Sequence, residues 1–447
     1  MKSAYKKGNI RKSFLALLMF LIILALAIFP GCNAQPPSSD EKLTYYTYYE
    51  DSISSIIKNY NNYCTHHYDE SYQIEIVEFD SQGEMNLNLS TEVMSGGGPD
   101  IFSSEQNLPY EKLAESKALT DINEIIDIYD YDIGLDNCNQ TVMDAGVIDS
   151  KRFFLPLEFS PDVFITTEKT LEKYNLTPEN FSFNALSKQL SNSGETYSLL
   201  GQDGMNIKFF YSFLNQYVDF TKGETDFDTD EFSENLDMVV NLIENSSGDE
   251  NINYWDYENI NNGASILYWM GSDFQLMVRA CAFIYHLGGT PAIIPNYNRD
   301  ENAVSASVDL SIGFNNNCKN KEKLLVFARY CLSDDTQIKM ATLPVSNSAF
   351  KQLFDLADKP IDIDEDGSVD DNEKSIFQKA REVGLSGYSD IIDNISGCQL
   401  YGFYSLPETY YNSSVIGDIV DDYLSGSISK DKFILRLTAA TEIYLTE

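Results

Sequence analysis

The feature that most constrains the fold is an alternation of short β-type runs with helical segments between residues 43 and 118. Leu43–Tyr49 (LTYYTYY) and Tyr72–Phe79 (YQIEIVEF) have the composition of buried strands, and apolar residues at helical spacing lie between them. A glycine run at 96–98 ends a second helical segment, and Asp100–Ser103 follows as a third strand. Strands that alternate with helices of 10–15 residues predict a parallel sheet with helices on its faces.

The same alternation continues between about residues 153 and 314. Asp162–Thr167, Ala264–Met270 and Ala306–Phe314 have strand composition, and helical segments separate them. The whole pattern predicts an α/β protein. Sheets of this class bind ligands beyond the carboxyl ends of their strands. This rule directs attention to the residues that follow the first and third strands.

The first 31 residues have the features of an export signal. A basic, polar segment precedes the apolar run Phe14–Phe29, which is shorter than the roughly 20 apolar residues of a membrane span. The pair Gly31-Cys32 comes next and resembles the lipobox of bacterial lipoproteins, in which the cysteine is acylated. We therefore predict a signal peptide at 1–31, lipidation at Cys32 and a lipid-anchored linker at 32–42. The expected location is the extracellular face of the bacterial cell membrane, with a plain signal or an uncleaved anchor as the alternatives.

The charge of the chain excludes several classes of partner. The formal net charge is −38, with 31 basic and 69 acidic residues. Nucleic-acid binding depends on basic residues that neutralise phosphates, so no nucleic-acid partner is expected. Three histidines leave little material for zinc sites or histidine-based triads. The six cysteines after Cys32 show no CxxC spacing, which predicts mostly free, buried thiols, with Cys331 as the clearest example.

Several segments resemble one family in their order along the chain. Glu92–Phe102 (EVMSGGGPDIF) and Leu113–Ile122 (LAESKALTDI) resemble the hallmark segment of the family 1 extracellular solute-binding proteins. Phe164–Leu176 (FITTEKTLEKYNL), Gly263–Gly271 (GASILYWMG) and Ile312–Ser346 resemble later segments of the same family. The resemblance covers roughly residues 40–350. Members of this family are receptors of bacterial ABC importers, mostly for sugars and oligosaccharides.

The resemblance implies a two-lobed periplasmic-binding-protein-like fold of type II, with mixed or parallel sheets, flanking helices and a ligand cleft between the lobes. It places residues 43–153 and 312–345 in lobe 1, and residues 154–311 and 346–447 in lobe 2. The crossovers between lobes are expected near Phe153–Leu157, Ser305–Ile312 and Leu343–Ser346. The implied function is capture of a carbohydrate, without catalysis, for the permease subunits of an importer.

Aromatic and acidic residues near the expected cleft are candidate ligand contacts. Aromatic rings stack on the apolar CH faces of sugars, and carboxylates accept hydrogen bonds from sugar hydroxyls. Trp269 is the strongest candidate because it falls near a tryptophan of the family. A core position is the alternative for each of these rings. The predicted ligand-binding residues are Tyr48, Tyr49, Glu50, Glu105, Trp255, Trp269, Asp309, Tyr401 and Tyr404.

Residues 362–373 (DIDEDGSVDDNE) match the twelve-residue calcium loop of EF-hands. Calcium takes six to eight oxygen ligands, which such a loop provides from positions 1, 3, 5, 7, 9 and 12, with glycine at position 6. Gly367 occupies that sixth position. A single loop predicts one structural Ca2+ site, with a solvated acidic loop as the alternative. The predicted metal ligands are Asp362, Asp364, Asp366, Ser368, Asp370 and Glu373.

Two other functions remain open at this point. A sensory or adhesion ectodomain could use the same cleft to bind a glycan or a peptide without transport. An exported carbohydrate-active enzyme is the other alternative, because paired carboxylates are plentiful. The sequence contains no GxSxG or HExxH motif and no Cys/His pairing that would carry nucleophilic or metal chemistry.

Overall fold

The computed structural model describes residues 41–106, 113–114, 116–161, 163–193, 197–200, 205–220, 222–244, 246, 257–270, 274–299, 304–340, 343–356, 360, 362–363, 367–400, 406 and 414–446. Signal peptide 1–31, Cys32 and most of the predicted linker lie outside these ranges. Within them, no helix is both long enough and apolar enough to cross a membrane.

The strands of the described residues are, in chain order, β1 (Leu43–Thr47), β2 (Ile74–Glu78), β3 (Ile101–Ser103), β4 (Val147–Ile148), β5 (Lys151–Arg152), β6 (Phe154–Pro161), β7 (Val163–Thr167), β8 (Ser198–Leu200), β9 (Val218–Asp219), β10 (Glu224–Thr225), β11 (Ser265–Trp269), β12 (Pro291–Pro295), β13 (Val304–Phe314), β14 (Leu343–Pro344) and β15 (Ile395–Leu400).

The α-helices of the same residues are α1 (Ser52–His67), α2 (Gln82–Met94), α3 (Ile122–Tyr129), α4 (Gln140–Asp144), α5 (Glu168–Lys173), α6 (Phe183–Ser193), α7 (Met205–Asn215), α8 (Asp230–Glu244), α9 (Tyr257–Asn262), α10 (Phe274–His286), α11 (Lys321–Cys331), α12 (Asp334–Gln337), α13 (Asn347–Leu356), α14 (Asp371–Asp393), α15 (Val415–Leu424) and α16 (Lys430–Thr446). Short 3-10 helices lie at Glu70–Tyr72, Ser104–Gln106, Leu135–Asn137 and Pro178–Asn180.

The first elements confirm the predicted alternation of strands and helices. Helix α1 begins after Asp51, whose side chain accepts a hydrogen bond from the backbone N–H of Ser54. Helix α2 is followed by Gly96 and Gly98, which adopt φ angles of +83° and +91°. Glycine enters this left-handed region without a Cβ penalty, so the glycine run ends the helix as predicted.

Seven strands form the larger sheet. Its order is β14-β6-β13-β3-β1-β2, and β15 also pairs with β13. Strand β1 is parallel to β2 and β3, as the alternating pattern predicts. The long strands β6 and β13 are antiparallel to each other, and β13 is antiparallel to β3. The sheet is therefore mixed, which agrees with the predicted α/β fold.

A smaller sheet of four strands has the order β12-β7-β11-β8. Successive residues of β7 enter different cores, because side chains alternate between the faces of a strand. Val163 and Ile165 belong to the core that extends through the larger sheet, whereas Phe164 belongs to a second core under α6, α7 and α8. The smaller sheet is thus covered on both faces.

The predicted lobe boundaries need correction. Strands β6 and β13 are both members of the larger sheet, so boundaries at 153 and 311 would cut these paired strands away from it. The chain changes sheets between Pro161 and Val163 and returns between β12 and β13. The assignment of 346–447 to lobe 2 also fails in part. Strand β15 pairs with β13 of the larger sheet, whereas Leu406, α15 and α16 contribute to the second core.

Candidate functional site

The carboxyl ends of β1 and β3 lie at one edge of the larger sheet because the two strands are parallel. Tyr48 and Tyr49 follow β1 directly, and their ring centroids are 4.6 Å apart at an interplanar angle of 60°. Tyr48 is half-buried, whereas Tyr49 is 45% exposed. Partial burial of Tyr49, with the nearby Glu105 carboxylate, raises the pKa of its phenol to about 12. Its hydroxyl therefore stays protonated and able to donate a hydrogen bond.

Glu105 lies in the 3-10 turn after β3 and binds the start of α1. Its two carboxylate oxygens accept hydrogen bonds from the backbone N–H groups of Ser52 and Ile53, both at 3.1 Å. Burial raises the pKa of Glu105, and these N–H donors partly offset the rise. The structure thus gives Glu105 a role at the helix N-terminus, and its contact with a ligand stays a prediction.

Glu50 follows the two tyrosines and is exposed. It forms an ion pair with Lys58 at 2.5 Å, and this hydrogen bond lowers the pKa of the carboxyl group. An exposed pair of this kind contributes little to stability. Glu50 is close to the tyrosines in sequence, but its contact with a ligand also stays a prediction.

Trp269 is the last residue of β11, at the carboxyl end that β11 shares with its parallel neighbour β8. It pairs with Phe164, the second residue of β7. Strand β7 is the first strand of the smaller sheet after the chain leaves the larger sheet. The indole is half-buried, and the Lys208 ammonium lies 4.9 Å from its ring centroid. A cation at this distance is attracted to the ring face. Trp269 is thus placed where the smaller sheet meets the crossover between the sheets.

Asp309 lies in the middle of β13 and accepts a hydrogen bond from the Ser160 hydroxyl on β6. The pairing of β6 with β13 is irregular between Val308 and Leu310, so Asp309 sits at a bulge. Bulges redirect side chains and occur often beside functional sites. Ser160 lies two residues before the change of sheets, so the Asp309–Ser160 pair and Trp269 both border the crossover.

The described members of the predicted set fall in two places: Tyr48, Tyr49 and Glu105 follow strands of the larger sheet, and Trp269 and Asp309 border the crossover. We call Tyr48, Tyr49, Glu105, Trp269 and Asp309, with Lys208 and Ser160, the strand-end region. Trp255, Tyr401 and Tyr404 lie outside the described residues. Sequence reasoning missed Lys208 and Ser160, since nothing in their local sequence marks them. Lys208 contacts Trp269, and Ser160 contacts Asp309, through elements that are far apart in sequence.

A cavity of about 550 Å3 lies between α4, the β9–β10 hairpin and β15. We call it the acidic cavity, because Asp144, Asp219, Glu224 and Asp226 line it together with Lys222 and Arg299. Arg299 binds Asp226 at 2.6 Å and covers the ring of Tyr217 at 4.7 Å. The Tyr217 ring is also buried, at 1% exposure, so it offers no open face to a sugar. Of the predicted ligand-binding residues that the structure describes, none lines this cavity.

The predicted calcium loop is described only in part, because Asp364 and Asp366 lie outside the described residues. Asp362 accepts a hydrogen bond from the backbone N–H of Gly367 at 2.8 Å, and Gly367 has a φ of +90°. Ser368 and Asp370 are both exposed. Among the side chains that the structure describes, no group of three or more Asp, Glu, His or Cys is placed to hold a metal ion.

Glu373 closes the loop at the start of α14 and is only 3% exposed. Its carboxylate accepts hydrogen bonds from the backbone N–H groups of Ile363 at 2.6 Å and Asp370 at 2.9 Å. Asp370 in turn accepts from the N–H of Glu373 at 2.8 Å, which completes a capping box. The second, ninth and last positions of the loop are therefore tied together at the start of the helix.

The prediction of free, buried thiols is confirmed. The six cysteines among the described residues are free, and five of them are buried, among them Cys331 on α11. Burial raises the pKa of Cys138 to about 12, helped by the nearby Asp334. A thiol with a raised pKa is a poor nucleophile. These residues belong to the cores and not to a reactive site.

The fold is similar to several solved binding proteins. The cyclic alpha-maltosyl-1,6-maltose binding protein from Arthrobacter globiformis has a TM-score of 0.54 at 16% identity, over 90% of this chain and 98% of that one. A putative oligosaccharide periplasmic-binding protein from Synechococcus sp. MITs9220 has a TM-score of 0.57 at 12% identity, over 91% and 99%. Such identities show the shared fold alone. A search of curated proteins finds no match.

The sequence itself matches a family model. The model for bacterial extracellular solute-binding proteins matches residues 54–338, which is more than half of the chain. The matched region runs from α1 through α12 and includes most of the strand-end region. The chain therefore belongs to the bacterial extracellular solute-binding protein family, and it is a binding protein rather than an enzyme.

Proposed function

We propose that the protein is the receptor of an ABC importer and captures an oligosaccharide in the strand-end region by closing its two sheets around it. The observation that carries this proposal is the placement of Tyr49 and Trp269 at the carboxyl ends of strands in different sheets. A flat sugar ring has two apolar faces, and aromatic rings on opposite walls can cover both. Asp309 and Ser160, on the strands that link the walls, would accept or donate hydrogen bonds to hydroxyls.

The connections between the sheets support a hinge. Strand β6 of the larger sheet ends at Pro161 and β7 of the smaller sheet begins at Val163, so the first connection is short. The return segment after β12 is held by hydrogen bonds from Asn298 and Gln216 to the Ser305 hydroxyl, at 2.8 Å and 3.1 Å. Changes of dihedral angle at a few such residues are enough for domain closure.

A thermal-shift screen against a panel of oligosaccharides, with calcium held constant, tests the ligand class. A bound ligand stabilises the folded state by about 2.7 kcal/mol at a hundred times its Kd, so a true ligand raises the Tm measurably. We expect at least one oligosaccharide to do so without being consumed. If peptides raise the Tm and no sugar does, the proposed substrate class is wrong.

An uptake assay separates the importer receptor from a sensory or adhesion ectodomain. In the importer, deletion of the protein abolishes entry of the radiolabelled sugar identified by the screen. Re-expression of the native chain restores entry, and re-expression of a Trp269→Ala chain does not. Normal uptake in the deletion strain would favour the ectodomain without transport.

We further propose that Cys32 carries a lipid that tethers the protein to the outer face of the cell membrane. The support is the Gly31-Cys32 pair directly after the apolar run. Metabolic labelling with a fatty acid should mark the native chain and leave a Cys32→Ala chain unlabelled. The unlabelled chain should also leave the membrane fraction, whereas a Cys64→Ala control should stay there.

The acidic loop at 362–373 is proposed to hold one structural calcium ion. Its support is the twelve-residue motif, the left-handed Gly367 and the hydrogen bond from its N–H to Asp362. Asp362, Asp364, Asp366, the Ser368 carbonyl, Asp370 and Glu373 would be the ligands. The ion would offset the repulsion among the closely spaced carboxylates and hold the loop against α14.

Calorimetric titration of metal-stripped protein with calcium tests this site. One binding event is expected in the native chain and none in the Asp362→Ala/Glu373→Ala double variant. The Asp371→Ala variant is a matched control, because Asp371 lies in the same acidic stretch but at a position that provides no ligand. A silent titration of the native chain would contradict the calcium proposal.

A further inference from the structure

A network of buried polar side chains connects the carboxyl ends of β1 and β3 and reaches the turn that carries Tyr49. We call Tyr45, Thr47, Asp51 and Ser103 the buried polar network. Their exposures are 0%, 1%, 5% and 0%. Side chains this deeply buried offer no surface to a ligand. Any effect that they have on ligand binding must therefore act through a neighbouring residue.

Hydrogen bonds run from β3 to the start of α1 through the Tyr45 hydroxyl. Tyr45 donates to Oδ2 of Asp51 at 2.6 Å, and its oxygen lies 3.0 Å from the Ser103 hydroxyl. Burial, together with the charge of Asp51, raises the pKa of Tyr45 well above its usual value, so the phenol keeps its proton. A hydroxyl has one proton to donate. Since Tyr45 gives its proton to Asp51, Ser103 is the donor in the second bond.

The Thr47 hydroxyl holds the main chain at Tyr49. It lies 2.7 Å from the backbone carbonyl of Tyr49 and 2.9 Å from Oδ2 of Asp51. Tyr45 already donates to the same Oδ2, so the single proton of Thr47 is available for the closer acceptor, the Tyr49 carbonyl. The Thr47 oxygen also accepts a hydrogen bond from the Tyr49 N–H at 3.4 Å. One side chain thus contacts both backbone polar groups of Tyr49.

Asp51 has a second task that Thr47 does not share. Its Oδ1 accepts a hydrogen bond from the backbone N–H of Ser54 at 2.6 Å and caps α1. A substitution of Asp51 would therefore disturb the start of the helix as well as the turn. A substitution of Thr47 leaves this cap in place and separates the two tasks.

We propose that Thr47 is a positioning residue for Tyr49, supported by Tyr45 and Asp51. Its hydroxyl fixes the peptide groups of Tyr49, so the phenol leaves the larger sheet in one orientation before a ligand arrives. The consequence for binding rests on the proposed function, in which Tyr49 covers one face of a sugar. A side chain that is already ordered costs less conformational entropy on binding, so Thr47 would raise the affinity without touching the sugar.

A fluorine label at position 49 tests whether Thr47 orients that side chain. Para-trifluoromethylphenylalanine is incorporated at position 49 of the full-length protein, and its fluorine NMR signal is compared among variants. Thr47→Val keeps the shape of the buried side chain and lacks the hydroxyl. Its signal should move toward that of the free amino acid, because the ring then samples more orientations. Thr47→Ser restores the hydroxyl and should return the signal to its native position.

Thr120→Val is the matched control. Thr120 is also 1% exposed, and its hydroxyl donates to the backbone carbonyl of Asn315 at 3.0 Å. Asn315 donates its N–H to the carbonyl of Asp100, at the amino end of β3 and away from Ser103. The control thus loses the same kind of buried hydrogen bond at the opposite end of the strand. It should leave the fluorine signal unchanged.

Calorimetric titration of the unlabelled chains measures the effect on affinity. Maltotriose, cellotriose, xylotriose and chitotriose are the probes. A trisaccharide that binds the native chain should bind Thr47→Val about fivefold more weakly, because the variant must order Tyr49 on binding. Thr47→Ser and Thr120→Val should bind it with the native affinity.

Three results would overturn the proposal. An unchanged fluorine signal in Thr47→Val would mean that Thr47 does not orient residue 49. An equal change in Thr120→Val would indicate a general loosening of the sheet. Equal affinity of the native chain and Thr47→Val for a bound trisaccharide would mean that the orientation does not serve binding. If no trisaccharide binds the native chain, the proposed sugar-binding function fails for these probes, and the fluorine signal still decides whether Thr47 positions residue 49.

Discussion

The acidic cavity and the strand-end region offer opposite properties to a ligand. The acidic cavity has a volume of about 550 Å3, but its Lys222 and Arg299 pair with Asp219 and Asp226, and the Tyr217 ring is buried. The strand-end region is open, yet it presents aromatic rings at the ends of strands in both sheets. The proposed ligand site therefore does not coincide with this cavity. It rests on the chemistry of the exposed side chains and not on cavity volume.

The largest expected effect comes from removing the indole. Trp269→Ala should weaken binding of the sugar identified by the screen about 30-fold, which corresponds to about 2 kcal/mol for an aromatic residue central to a binding site. Calorimetric titration measures it. Trp269→Tyr keeps an aromatic face and should retain a larger share of the affinity. An unchanged affinity in Trp269→Ala would show that Trp269 of the smaller sheet does not contribute to sugar binding.

A smaller loss of sugar affinity is expected from substitution of Tyr49, which follows β1 of the larger sheet. Tyr49→Ala should weaken the same sugar about tenfold, or about 1.4 kcal/mol, because Tyr49 is more exposed than Trp269. Tyr49→Phe should lose only the hydrogen bond of the hydroxyl, so its affinity for the sugar should lie between those of the native chain and Tyr49→Ala. Equal affinities for the native chain and both variants would restrict binding to the smaller sheet.

Glu105 tests whether a residue of the strand-end region serves the fold or the ligand. Glu105→Gln removes the charge at the start of α1 and should lower the free energy of unfolding by about 1 kcal/mol. Glu50→Gln is the matched control, since its exposed ion pair should contribute about 0–0.5 kcal/mol. Denaturant unfolding gives both values. A loss of sugar affinity in Glu105→Gln without a loss of stability would show that the carboxylate binds the ligand.

The smallest effect is expected in the acidic cavity. Lys222 lines it and pairs with Asp219 at 2.5 Å on an exposed surface. Lys222→Met should leave the Kd of the sugar unchanged within about a factor of two. A tenfold loss would move the ligand site into the cavity.

The local sequence pattern was enough to predict the first strands and helices. The strand Leu43–Thr47, the helix with Ile53 and Tyr60 on its buried face, and the glycine stop before β3 all follow from period and turn chemistry. The rule that ligands bind at the carboxyl ends of strands then singled out Tyr48 and Tyr49. These features depend on neighbours within a few residues.

The local sequence pattern could not predict which sheet a strand joins or which distant residues contact Trp269 and Asp309. The strand composition of Phe154–Pro161 is the same whether it pairs with β13 or with the smaller sheet, so the boundary at 153 was misplaced. The contacts of Lys208 with Trp269 and of Ser160 with Asp309 join residues far apart in sequence. Glu105 was selected for its position, and only the structure shows its hydrogen bonds to α1.

Hydrogen–deuterium exchange with and without the identified oligosaccharide tests the central claim most directly. Sugar held between the ends of β1 and β11 should slow amide exchange at residues 48–53 and 265–270, since both walls become ordered and lose access to water. Residues 217–226, which line the acidic cavity, should show the smaller change. Slower exchange confined to residues 217–226 would contradict a ligand site in the strand-end region.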